Sequence, residues 1–182
     1  MTDLEHMLSL YHSSRCDNNY GDSAVNAASI ILGKSPIYSV EGNVSSDTYH
    51  GEFIKFVHWL SGETIDCDFT YQSHTNWVLM RNIVRGDYQT ALDYAAKIQK
   101  ISGHIPDYKG DISSGYHAFN TMLISLMPSS YKRDKILGGA LVYICEDWFA
   151  NKLNQGRGSW QLFHVANLFY LTQKYPDYFI SK

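Results

Sequence analysis

Apolar residues recur at helical spacing along most of the chain. Leu4, Met7, Leu8 and Tyr11 follow the i, i+3, i+4, i+7 pattern, with Thr2 or Asp3 placed to cap, so the chain is expected to open with a helix. The segment RCDNNYGD ends it. Asp22 or Ser23 then caps a second helix over residues 24–32, whose Ala24, Ala27 and Ala28 allow close packing and whose end is marked by Gly33 and Pro36. Residues 36–47 are the least regular stretch; residues 37–40 suit a short strand but have no evident partner, and a lone strand is not stable. Phe53, Phe56, Val57 and Leu60 predict a third helix over residues 48–60, closed by Gly62.

The second half is more regular. Trp77, Met80 and Val84 predict a fourth helix over residues 76–85, broken by Gly86-Asp87, and a fifth over residues 89–101 turns Leu92, Ala95, Ala96 and Ile98 inward. GHIPDYKGD reads as a loop from its Gly, Pro and Asp content. A sixth helix starts at Ser113 or Ser114 and runs through Phe119, Met122, Leu123 and Leu126 until Pro128 stops it. Asp134 opens a seventh that reaches about Leu153, and Ser159 caps an eighth that reaches about Lys174. Short connections and no sustained strand alternation predict an all-α fold, an irregular bundle of about seven to eight helices, with residues 1–182 forming a single helical domain.

Within that bundle, GDYQTALDYAAKIQKI over residues 86–101 resembles the second helix of a tetratricopeptide repeat. In that family a Gly-Asp-Tyr turn is followed by alanines that let two helices nest, and Gly86, Asp87, Tyr88, Ala91, Leu92, Tyr94 and Ala95 fit the pattern. The upstream helix departs from it: Trp77 is displaced from the family's aromatic position and no Leu-Gly pair follows. Without a second copy, and because solenoids need about three repeats for stability, the segment is expected to form one helical hairpin inside the bundle.

Composition narrows the function classes. The chain is 45% hydrophobic and has 4 Pro and 13 Gly, which excludes a collagen-like, linker or disordered chain. Fifteen basic residues against 18 acidic ones give a net charge of −3, with no overall cationic field for nucleic acid or an anionic membrane. The longest apolar run, residues 136–145, is about half of the ~20 residues that span a bilayer. The opening MTDLEHMLSLYHSS has acids where a signal peptide needs basic residues, so it reads as a retained helix and the cytoplasm is the expected location. Charge is, however, unevenly divided. The first 72 residues hold three bases and ten acids, a net −7, and the remainder holds 12 bases and eight acids, a net +4. Glu63, Asp66 and Asp68 form the densest acidic cluster: either a solvated loop or a docking patch that steers a basic partner.

No catalytic motif emerges. Cys16, Cys67 and Cys145 make neither a CxxC pair nor a disulfide framework, and Cys145 falls in an apolar helix as a core residue. Cys16 precedes the second helix by too many residues for its first-turn amides to reach the sulfur, so an enzyme of unrecognised type using Cys16 stays an alternative only. His6, His12, His50, His58, His74, His104, His117 and His164 include no i, i+4 pair, so no metal site and no cofactor are expected. GRGS at residues 156–159 lacks a Walker lysine, and the basic run Lys132, Arg133 and Lys135 is expected to be a solvated loop at a helix start rather than a nucleic-acid groove.

Fourteen tyrosines remain to be explained, and Tyr20, Tyr49, Tyr71, Tyr108, Tyr131, Tyr175 and Tyr178 fall in expected loops or helix ends. Tyrosine suits interfaces because it offers a large rigid contact at low entropy cost; half-buried tyrosines also complete irregular helical cores. A small, acid-leaning, all-α chain rich in Tyr and Asp resembles the bacterial immunity proteins that neutralise a cognate toxin. That resemblance implies stoichiometric blockade of a toxin domain, a cationic nuclease being the partner that the acidic part would steer toward. It implies no catalytic residues, and contacts from Asp47, Tyr49, Glu63, Asp66, Asp68 and Tyr71. The alternative is a helical adaptor in which the hairpin over residues 77–101 presents a groove to a peptide or protein.

Overall fold

A computed structural model of the chain describes residues 74–112, 114–147 and 159–180, together with residues 29–30, 33, 35, 55–56, 59–62 and 64. Among these the structure is helical, with no strand. The helices are α1 (Thr75–Arg85), α2 (Tyr88–Ile98), α3 (Ser114–Leu126), α4 (Tyr131–Asp147) and α5 (Ser159–Lys174), followed by a 3-10 turn at Pro176–Tyr178. Residues 29–30, 55–56 and 59–60 are helical as well, and Gly33 and Gly62 follow them at positive φ, each donating its N–H to the carbonyl three residues back; the rest of the expected second and third helices lies outside the described residues. The first expected helix and the 37–40 strand lie outside the described residues.

Helix α3 is the axis of this architecture, packed against α1, α4 and α5. Every side chain from His117 to Ser125 is buried, so this helix has no solvent face. Its hydroxyls are absorbed locally: Thr121 Oγ1 donates to the His117 carbonyl at 2.7 Å and Ser125 Oγ to the Met122 carbonyl at 2.6 Å. Helix α1 is similarly enclosed, with Trp77, Leu79, Met80 and Ile83 in the same core as Phe119, Met122 and Leu123. Phe56 and Leu171 join that cluster from either end of the sequence, and Ile136, Leu137, Ala140, Leu141 and Ile144 supply the inward face of α4.

The α1–α2 connection is the expected hairpin. Gly86 takes the left-handed conformation at φ 71° and closes α1, and Asp87 caps α2 by accepting the Thr90 N–H. Ala91 and Ala95 are fully buried where α2 meets its neighbours, whereas Ala96, expected inside, is exposed because the buried stripe runs through Ala91, Leu92, Ala95 and Ile98. Helix α2 ends at Ile98 rather than residue 101, since the chain then turns so that Lys100 N–H reaches the His104 carbonyl.

Helix α4 starts three residues earlier than Asp134. Ser130 is its cap: Oγ accepts the Arg133 N–H and the carbonyl accepts the Asp134 N–H. This places the basic run inside a helix instead of a solvated loop. Lys132 pairs with Asp93 of α2. Arg133 is turned inward, its Nη2 donating to the Ser125 carbonyl at 3.1 Å and to Tyr175 Oη at 3.2 Å. Lys174 Nζ donates to the same Ser125 carbonyl at 2.9 Å and to Tyr170 Oη at 2.7 Å. Two cations thus converge on the C-terminal end of α3, where the helix dipole is negative. The Cys145 thiol is buried as expected and donates to the Tyr178 carbonyl at 3.1 Å.

Glycines at the α4 surface allow a backbone-to-backbone approach. Gly103, at φ 92°, lies so close to α4 that a Cβ on it would stand 2.0 Å from the Gly139 carbonyl oxygen. Gly110, at φ 89°, has nothing within 4 Å of the same added atom. Gly103→Ala is therefore expected to lower stability by about 2–4 kcal/mol, combining left-handed strain with overpacking, and Gly110→Ala by only about 1–2 kcal/mol. Urea unfolding midpoints of the two variants check the difference.

Candidate functional site

The densest polar arrangement among the described residues is the loop over residues 99–112, between α2 and α3. Its centre is buried: His104, Ile105, Asp107 and Asp111 have almost no exposed surface. A buried loop must find partners for its backbone polar groups, and here side chains from the surrounding helices supply them. Ile105 N–H donates to His117 Nδ1 at 2.9 Å, and Asn120 Nδ2 donates to the Ile105 carbonyl at 3.3 Å. Gln99 Nε2 donates both to the Gly103 carbonyl at 3.1 Å and to the Ile136 carbonyl of α4 at 2.9 Å. Thr75 Oγ1 donates to the Pro106 carbonyl at 2.6 Å.

His117 is fully committed. Because Nδ1 accepts, the ring proton sits on Nε2, which donates to the Ala140 carbonyl of α4 at 3.0 Å. The imidazole is thus a bridge from loop to α4 in one neutral tautomer. His104 and Tyr143 pack against it, with ring centroids 5.2 and 4.8 Å away. A cluster of two histidines and a tyrosine was not legible from spacing, since the residues lie 13 to 39 positions apart.

At the other end of the loop, Asp107 caps α1 from outside its own segment. Its carbonyl accepts the Thr75 N–H at 2.7 Å, and its Oδ1 accepts the Asn76 N–H at 2.9 Å. His74, the residue before α1, offers no cap of its own; its Nδ1 donates instead to Asp107 Oδ2 at 3.0 Å, and its ring meets Tyr108 edge-on. Asp111 holds the loop in register by accepting the Asp107 N–H at 2.8 Å. Burial pushes the Asp107 carboxyl above the ordinary carboxylate range and the nearby Asp111 charge adds to the rise, against the opposing pull of the Asn76 amide and the His74 ring. A part-exposed imidazole held by a buried carboxylate is a geometry that also orients general bases. In this chain the same carboxylate closes a helix, which accounts for its burial without chemistry.

The sequence candidates fare unevenly. Asp47, Tyr49, Glu63, Asp66, Asp68 and Tyr71 all lie outside the described residues, as do Cys16, Cys67, Tyr20, Arg157, His6, His12, His50 and His58. Of the remaining end and loop tyrosines, Tyr108, Tyr131 and Tyr178 are exposed, and Tyr175 is drawn into the Arg133 contact. Exposed apolar groups also mark the loop, where Ile101 and Ile112 face solvent. In the hairpin of the adaptor reading, α1 is buried from Thr75 to Met80, whereas α2 exposes Gln89, Thr90, Asp93, Ala96 and Lys97. Among the described residues, no group of three or more His, Cys, Asp and Glu side chains is placed to hold a metal, and no helix is long and apolar enough to cross a membrane. Compared with known proteins, the chain matches no family model, no curated protein and no solved structure.

Two outcomes follow from the loop's bonding. His117→Phe keeps the ring's bulk but strands the Ile105 N–H, and is expected to lower stability by about 2–3 kcal/mol in chemical denaturation. For Asp107, the native carboxyl keeps its proton to higher pH than the unfolded one. The native state therefore binds more protons between those two values, and stability falls as pH rises from about 4 through the native value. Wild-type protein should lose ground relative to Asp107→Asn across that interval, as urea unfolding at stepped pH would record.

Proposed function

We propose that the chain is a toxin-neutralising protein of the bacterial immunity type, acting in the cytoplasm by stoichiometric blockade of a cognate toxin domain. The observation that carries this reading is the division of charge, −7 in the first 72 residues and +4 in the rest, which gives a near-neutral chain a strongly acidic part. A cationic toxin domain, a nuclease among them, has the field such a part attracts. Glu63, Asp66 and Asp68 would steer the encounter. Asp47, Tyr49 and Tyr71 would add contacts at the toxin surface. Exposed tyrosines elsewhere, at Tyr108, Tyr131 and Tyr178, support a protein-binding role because such rings are large, rigid and able to hydrogen-bond. Within the cationic run, Lys132 and Arg133 are engaged within the fold.

Purified protein mixed at micromolar concentration with the polypeptide encoded by the adjacent reading frame should elute from a sizing column as one stoichiometric complex; separate elution of the two would overturn the reading. In that complex, combined Glu63→Gln, Asp66→Asn and Asp68→Asn should slow association by about 10-fold at low salt, with the difference closing near 0.5 M salt, roughly as screening predicts. Tyr71→Ala should speed dissociation by about 10-fold. Stopped-flow and surface-binding kinetics separate the two effects.

A further inference from the structure

We draw no further inference here: the strongest candidate, the His74–Asp107 pair where the 99–112 loop meets the N-terminus of α1, carries nothing beyond the helix cap already described, because its bonds close that helix and no second feature of the structure points to a ligand.

Discussion

A segment that passes through the interior must pair the polar backbone groups it takes out of water, and the buried centre of the loop over residues 99–112 does this in large part with side chains around it. His117 and Asn120 from α3 take the N–H and carbonyl of Ile105, Thr75 from α1 takes the Pro106 carbonyl, and Gln99 at the end of α2 takes the Gly103 carbonyl. Leaving any one of these buried groups without a partner costs about 1–3 kcal/mol, so the four bonds fix where the helices stand relative to one another. Helix α1 depends on the same loop for its start, because its own preceding residue, His74, does not cap it and Asp107 does. The α4 helix depends on it from the other side through His117 and through the close passage of Gly103 over Gly139.

Cations play the complementary role at the far end of α3. Arg133 and Lys174 come from different helices and meet on one carbonyl, Ser125, which stabilises the negative end of a buried helix that cannot turn to water. The consequence for function is that part of the positive charge in the second half of the chain is structural. The functional reading therefore rests on the division of charge along the sequence rather than on any motif.

Local chemistry was readable in the sequence and long-range bonding was not. Gly86-Asp87 marked a helix end and a helix start because an αL glycine and a capping aspartate act within three residues. The sixth and eighth expected helices agree in span with α3 and α5, and Pro128 follows the end of α3 by two residues. Local spacing points to Asp134 as the helix start although Ser130 is the cap, because Arg133 turns inward on Ser125 and Tyr175, eight and 42 residues away. His117 looked incidental since its two partners, Ile105 and Ala140, lie 12 and 23 residues off on either side. The candidate contacts from Asp47 to Tyr71 were legible as charge and aromatic content, which residue counts give without a fold.

If the 99–112 loop is the element on which the helices are set, it opens only when the whole fold opens. Native-state hydrogen exchange of the Ile105, Asn76 and Asp107 amides tests this most directly, because their acceptors are His117, Asp107 and Asp111 side chains rather than a regular helix ladder. The account predicts that these three amides exchange with the free energy of global unfolding, alongside core amides of α3. Exchange of the loop amides at a markedly lower free energy, while α3 stays protected, would contradict it.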